Sequence, residues 1–333
     1  MPILEARSLS KRFRRADKDS GVKGAVRHLV QRKYKNFTAV DDIDLEIEPG
    51  ESVAYVGPNG AGKSTTVKLL TGILKPTEGT VRVMGRDPHT ERIANAHDIG
   101  VLFGQRTQLW WDLPVEESLK LLKHMYGVTE ADYKARIEQF DELLGLGEFM
   151  PALARTLSLG QRMRADLACA LIHDPKMVYL DEPTIGLDIS VKDRLRAFLR
   201  RLVDDGTTLL LTSHDLADIE EVCERIVVID EGKIAYDGPI EQLKAHYITA
   251  KAVNLVLEGP AEVEALAEKF PHYEWSAGEA ASEVTVTYES ARFTTAEVLG
   301  DVTAQLRPRD LSLSEPSIED VIRRLYSGEL TKK

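Results

Sequence analysis

The sequence predicts an α/β protein, an open parallel sheet flanked by helices, followed by a small α+β domain. Two patterns carry that prediction. Short apolar runs at 52–56, 177–180, 208–212 and 226–229 are separated by stretches of helical periodicity, which is how parallel strands and their crossover helices read in a sequence. After Tyr247 the pattern changes, and strand-like 253–257 and 284–287 alternate with helical 261–270 and 294–306. Those last residues, about 85 in all, are enough to hold a core of their own. Of the 333 residues 43% are hydrophobic and 29% charged, a folded and not a disordered composition.

Each element has a local reason. Residues 3–6 open the chain as a strand, and alternation over 43–48 marks a half-buried strand that Pro49-Gly50 ends. The buried strand 52–56 runs into a glycine-rich loop, and a helix over 64–71 follows with Gly72 as its stop. Residues 80–85 read as a further strand and turn. Apolar residues at helical spacing fill 115–125, 130–144 and 161–172, so the middle of the chain is largely α. The resulting division is a first domain over 1–245 and an accessory domain over 246–333.

Composition also excludes some functions. Two cysteines cannot frame a disulfide scaffold and suit a reducing compartment. A net charge of −11 argues against wholesale coating of nucleic acid. The N-terminus lacks the basic start and apolar core of a signal peptide. No apolar run approaches the roughly 20 residues of a membrane-spanning helix. A soluble protein is expected, with any membrane role supplied through a partner or a surface.

The glycine-rich loop is Gly57-Pro58-Asn59-Gly60-Ala61-Gly62-Lys63-Ser64-Thr65. It fits G-x-x-x-x-G-K-[ST] between a strand and a helix, the context that confirms a phosphate loop. Its glycines let successive N–H groups turn inward toward phosphate oxygens. The helix N-terminus adds a partial positive charge and Lys63 a full one. The Ser64 hydroxyl suits Mg²⁺, a hard cation that takes oxygen ligands. A nucleoside triphosphate site is expected here.

A second element completes that chemistry. Met177-Val178-Tyr179-Leu180-Asp181-Glu182-Pro183 places two carboxylates at the end of an apolar strand, where ligands bind in open α/β sheets. Asp181 is expected in the Mg²⁺ shell. Glu182 projects differently and suits general-base attack by water.

Four further motifs follow in the order that ATP-binding-cassette (ABC) ATPases use, and residues 1–245 resemble that domain throughout. Gln105, in Val101-Leu102-Phe103-Gly104-Gln105, resembles the Q-loop glutamine, and Leu157-Ser158-Leu159-Gly160-Gln161 resembles the LSGGQ signature. Ile185-Gly186-Leu187-Asp188 resembles the D-loop, and His214 in Thr212-Ser213-His214-Asp215 resembles the switch histidine. The resemblance implies a P-loop ABC ATPase domain: a RecA-like core, an antiparallel β subdomain and a helical subdomain over about 106–165, with the α+β domain behind it. It implies ATP and Mg²⁺, with Ser64, Gln105 and Asp181 at the metal and Lys63 and His214 on the γ-phosphate. It also implies that Ser158, Gly160 and Gln161 close on the ATP of a second subunit in a homodimer. Ser158 and Gly160 precede a helix expected from Gln161, so their hydroxyl and N–H groups would face an anion. Leu159 stands where the family has glycine, which implies weaker or differently timed closure. Tyr34 resembles the aromatic residue that stacks on adenine, judged by its distance from Ala39-Val40-Asp41-Asp42-Ile43, with Phe37 as the competitor.

The same resemblance points to transport. The segment between Gln105 and Leu157 resembles the helical subdomain that receives a membrane permease, and Trp110 and Trp111 are either docking residues or core. The phrase from Leu311 to Ile322 resembles the tail of multidrug and daunorubicin-resistance type exporter ATPases, with Ile318 and Ile322 as conservative departures. The expected protein is an exporter subunit on the cytoplasmic face of the cell membrane, bound to permease chains and not to nucleic acid. Two alternatives remain at this point: a polysaccharide or teichoic-acid exporter ATPase, and a soluble ABC protein acting on ribosomes or DNA. An all-β accessory domain would favour the first. The single cassette, with no CxxC pair and no long heptad run, counts against the second.

One stretch reverses the overall charge. From Lys11 to Lys35 there are ten basic and two acidic residues, and about 14–33 read as an insertion beside the adenine site. Val26, Leu29 and Val30 would share one side of a helix over 22–31. An anionic leaflet attracts such residues by about 1 kcal/mol each; the alternative is a solvated insertion that balances an acidic body. Reversing Arg27, Arg32 and Lys33 to Glu is expected to weaken co-sedimentation with anionic lipid vesicles. Unchanged co-sedimentation identifies the solvated insertion.

Overall fold

The computed structural model describes residues 1–16, 34–104, 106–247, 250–278, 280–290 and 292–314. The helix expected over 22–31, Gln105, and the tail phrase from Glu315 onward lie outside the described residues. The chain divides into two compact units, Met1–Gly238 and Pro239–Lys333.

The first unit opens with β1 (Leu4–Ala16) and β2 (Tyr34–Ile47), paired antiparallel so that Leu4, Ala6 and Leu9 lie opposite Ile47, Leu45 and Ile43. All six are buried. The ladder then continues to Ala16 opposite Tyr34, ten residues beyond the strand expected at 3–6. Arg12, Phe13, Arg14, Asn36, Phe37 and Thr38 in this arm are exposed, so it shows no buried alternation and hydrogen bonding alone defines it. Residues 14–16, expected in the insertion, are therefore strand.

Next come β3 (Ser52–Val56), α1 (Lys63–Leu70), β4 (Glu78–Val83), α2 (Arg92–Asp98) and β5 (Ile99–Phe103). The helical middle holds α3 (Val115–Tyr126), α4 (Glu130–Leu144) and α5 (Leu159–Leu171). The unit ends with β6 (Met177–Asp181), α6 (Ile189–Asp204), β7 (Thr208–Thr212), α7 (Leu216–Val222), β8 (Arg225–Asp230) and β9 (Lys233–Pro239).

Two sheets result. One is antiparallel, in the order β2-β1-β4; the other has six strands in the order β5-β6-β7-β3-β8-β9, with parallel pairing from β5 through β8. Every residue of β3 and β7 is buried, as expected of strands covered on both faces. Tyr55 and Tyr179 are fully buried in the shared core, and the Tyr55 hydroxyl donates to Thr66 Oγ1 at 3.3 Å. The helices carry the signals that predicted them. In α3, Glu116 and Glu117 sit in the first turn, Lys123 and His124 in the last, and Gly127 adopts the left-handed cap. Thr129 caps α4 by accepting the Asp132 N–H. Both cysteines, Cys169 and Cys223, are free and buried.

The second unit contains α8 (Ile240–Tyr247), β10 (Ala250–Val256), α9 (Val263–Lys269), β11 (Glu274–Ala277), β12 (Glu283–Glu289), α10 (Thr295–Leu306) and β13 (Asp310–Ser314). Its antiparallel sheet runs β11-β12-β10-β13. Val253, Leu255, Val284 and Val286 of the sheet form a core with Leu266, Val298 and Val302 of α9 and α10. The mixture is α+β, as the alternating pattern implied. Among the described residues no helix is long and apolar enough to cross a membrane.

The Phe140 and Phe198 rings join α4 to α6 edge to face, 6.1 Å apart, and both are fully buried. Phe198→Ala is expected to cost about 3–5 kcal/mol, read as a lower urea midpoint by tryptophan fluorescence.

Candidate active site

The loop after β3 is squeezed between two strands. A Cβ on Gly62 would lie 2.3 Å from the Ala39 carbonyl oxygen, and Gly62 has a φ of 112°. A Cβ on Gly57 would lie 2.4 Å from the Ile229 carbonyl oxygen. Only glycine meets the first requirement at low cost, since it combines a left-handed φ with a backbone approach. The loop is pinned by the Gly232 N–H donating to Ala61 O at 3.0 Å and the Thr66 N–H donating to Gly62 O at 2.9 Å. Lys63 opens α1 and is 7% exposed. Its ammonium donates to Gly57 O at 2.6 Å and Pro58 O at 3.3 Å. Burial lowers its pKa, against the opposing pull of Glu182 and Asp181.

Asp181 ends β6 between Phe103 of β5 and Thr212 of β7. Its two oxygens are used separately: Oδ2 accepts from Ser64 Oγ at 3.1 Å, and Oδ1 accepts from Thr212 Oγ1 at 2.6 Å. Glu182 has a φ of 58°, a region a side-chain-bearing residue occupies only when its surroundings hold it there. Its N–H donates to Thr212 O at 3.0 Å. Its Oε1 lies 2.8 Å from His214 Nε2. A cavity of about 470 Å³ is lined by Asn59, Ser64, Asp181, Glu182 and His214, with Arg106 also on its wall. Gly104 donates to Asp181 O at 2.9 Å, which brings the chain before Gln105 to the same place.

The signature residues stand apart. Ser158 is the N-cap of α5, accepting from the Gln161 N–H at 3.2 Å while Gln161 Oε1 accepts from the Ser158 N–H at 3.0 Å. The helix thus begins at Leu159, two residues before the expected start, because this reciprocal cap closes the first turn. Among the described residues no hydrogen bond joins Ser158, Gly160 or Gln161 to the phosphate loop, and none of the three lines the cavity. Leu159 Cδ2 instead leans on the loop after β6, 2.8 Å from where a Gly186 Cβ would be. Asp188 in that loop caps α6, and the hydrogen bond from the Val191 N–H lowers its pKa.

Tyr34 opens β2 opposite Ala16, and its side chain lies outside the described residues. Among the described side chains of this hairpin the exposed rings are Phe37 and, directly across the ladder, Phe13, at 51% and 37% exposure. Lys11 Nζ sits 5.3 Å from the centre of the Phe13 ring. Phe37 is two residues from Ala39, which touches Gly62. Sequence reasoning passed over Phe13, because only the register places it opposite Phe37. Trp110 and Trp111 are both partly exposed while Leu109 beside them is buried, so neither indole is core.

Residues 40–185 match the sequence pattern of the family described as ABC transporter. The chain is 36% identical over 213 residues to the ABC transporter ATP-binding protein NatA of Bacillus subtilis, an overlap of 64% of this chain and 87% of that protein. It belongs to the ABC transporter family. This chain is an ABC ATP-binding subunit and an ATPase. It is 35% identical over 227 residues to the Nod factor export ATP-binding protein I of Paraburkholderia xenovorans, covering 68% of this chain and 74% of the other. It is 36% identical over 212 residues to the daunorubicin/doxorubicin resistance ATP-binding protein DrrA of Streptomyces peucetius, covering 64% of each chain. A solved dimeric, post-hydrolysis ATP-binding cassette bound to ADP and phosphate shares the fold, with a TM-score of 0.59, 24% identity, and coverage of 71% of this chain and 98% of that one.

Gly62→Ala tests the ABC subunit's squeezed loop directly. It is expected to abolish binding of a fluorescent ATP analogue in titrations, while circular dichroism stays that of a folded protein.

Proposed function

We propose that this chain hydrolyses ATP with Glu182 as general base, and that it powers export through a separate permease. The observation that carries the reading is the Glu182–His214 contact of 2.8 Å on the cavity that Ser64 and Asp181 also line. Lys63, Ser64, Thr65 and the loop from Gly57 through Gly62 hold the phosphates, with their N–H groups at the start of α1. Lys63 exchanges its bonds to Gly57 O and Pro58 O for phosphate oxygens. Glu182 accepts the proton of the attacking water at a carboxylate oxygen, a contribution of about 10²–10⁴-fold in rate. His214 steadies that carboxylate from one side and reaches the γ-phosphate from the other.

Mg²⁺ fits the donor set. The Ser64 hydroxyl and the Asp181 carboxylate meet at 3.1 Å, two oxygen donors of the kind a hard cation takes, and Gln105 follows the strand that flanks Asp181. Bound there, the ion would neutralise charge on the transferring phosphoryl group. The exposed rings of Phe37 and Phe13 join Tyr34 as the residues to stack on adenine.

Closure involves a second copy. None of Ser158, Gly160 and Gln161 lines the cavity at the chain's own phosphate loop, so in this reading they meet the ATP bound by a partner subunit, in a dimer like that of the solved cassette. The exposed Trp110 and Trp111 suit docking to a permease at the inner face of the cell membrane. Export is supported by the Nod factor export and drug-resistance relatives and by the tail phrase from Leu311 to Ile322. A polysaccharide exporter is disfavoured, because α9 and α10 pack on the sheet of the second unit where an all-β domain was the discriminating feature.

Glu182→Gln is expected to retain ATP binding and to cut turnover roughly a hundredfold or more, measured as phosphate release. Near-normal turnover would remove Glu182 from the role of base.

A further inference from the structure

One buried carboxylate collects more hydrogen bonds than the hydrolytic groups do, and no step above uses it. Asp218, in the first turn of α7, is 1% exposed. Its Oδ2 accepts from Ser213 Oγ at 2.8 Å and also from the Thr184 hydroxyl. Its Oδ1 accepts from Arg196 Nε of α6 at 2.7 Å. Ser213 immediately precedes His214, and Thr184 lies two residues past Glu182. Both hydroxyl-bearing residues are buried, so water cannot replace either bond cheaply. Ser213 Oγ also accepts from the Asp215 N–H at 3.0 Å, which fixes its rotamer with a donor on one side and an acceptor on the other.

We propose that Asp218 is a positioning residue for hydrolysis: by accepting hydrogen bonds from the Thr184 and Ser213 hydroxyls on one oxygen, it fixes the spacing of the two loops and thereby holds Glu182 against His214. The inference rests on the reading of Glu182 and His214 as the hydrolytic pair. The two loops are already stitched at their base, where Thr212 bonds Asp181 and the Glu182 N–H. Asp218 is the second stitch: it joins Thr184, two residues past Glu182, to Ser213, the residue before His214. With two ties the loops have less freedom to pivot than with one.

A purely architectural role does not need the hydroxyls. Arg196 already ties α6 to α7 and its leading turn through Asp215 Oδ2 at 3.3 Å and Glu221 Oε1 at 3.6 Å, and Lys192 adds a bond to Asp215 Oδ2 at 2.5 Å. Arg196 beside Asp218 lets a buried charge persist. The bonds to Thr184 and Ser213 are the ones that reach the catalytic loops, and Glu182 at positive φ needs such outside support. Misplacement of a reacting group by an ångström costs on the order of a hundredfold in rate, so small loosening of this frame is kinetically visible.

Thr184→Val and Ser213→Ala remove one hydroxyl each and leave the Asp218–Arg196 pair intact. Each is expected to lower the kcat for ATP by about tenfold or more while the KM for ATP stays within about twofold. Thr184→Ser, which restores the donor, should recover most of the rate. Normal kcat in both folded variants would overturn the proposal, as would a loss of kcat that Thr184→Ser fails to recover. Asp218→Asn leaves Arg196 facing a neutral group and is useful only if it folds; the hydroxyl variants keep the test independent of it. Glu182→Gln, assayed alongside, separates the two claims. Normal turnover there removes the hydrolytic assignment itself, whereas an inactive Glu182→Gln beside fully active hydroxyl variants removes only the role of Asp218.

Discussion

The parallel rung that sets Asp181 opposite Thr212 is the fixed point from which the active site is laid out. Strand pairing decides where β6 stops relative to β7, and both loops that carry hydrolytic groups start from that rung. The Thr212 hydroxyl then ties down one oxygen of Asp181, which leaves the other for Ser64 of α1. The phosphate loop is thereby joined to the acidic pair through the neutral Ser64 hydroxyl, while the Lys63 ammonium feels both carboxylates electrostatically. Burial of β3, β6 and β7 makes the register rigid, so the points from which both loops start are inherited from the sheet.

Much of this was legible in the sequence, and the physical reason differs from element to element. The strand 52–56, the strand 208–212 and the helix 130–144 appear at the positions that apolar periodicity gave them, because each buries a face or an entire strand. The phosphate loop was legible because its glycines answer steric demands, as the approach of Ala39 to Gly62 shows. The backbone of Glu182 was not legible, since a positive φ at a glutamate leaves no mark on composition or spacing. Phe13 was invisible for another reason. The outer arm of the β1–β2 hairpin faces solvent on both sides, so neither its length nor its register is encoded in hydrophobic alternation.

Leu159 shows how a departure from the family pattern is absorbed. The reciprocal cap between Ser158 and Gln161 needs only a serine and a glutamine at the right separation, and it forms regardless of what occupies the position between them. The extra side chain is accommodated by Gly186, whose missing Cβ leaves room for it. The signature segment and the loop after β6 are thus in van der Waals contact within one subunit, and positions 159 and 186 share one volume.

The pairing of Ala16 with Tyr34 has a consequence for what the chain between them can tolerate. Register partners on neighbouring strands sit about 5 Å apart, so the ladder holds the two ends of the stretch 17–33 side by side. Closing a loop between fixed, adjacent ends depends only weakly on its length. Changes of length there cost little loop-closure entropy, and the ten basic residues from Lys11 to Lys35 fall within or beside this stretch. The hairpin arm is a grafting position, where surface chemistry can change at small cost in loop-closure entropy.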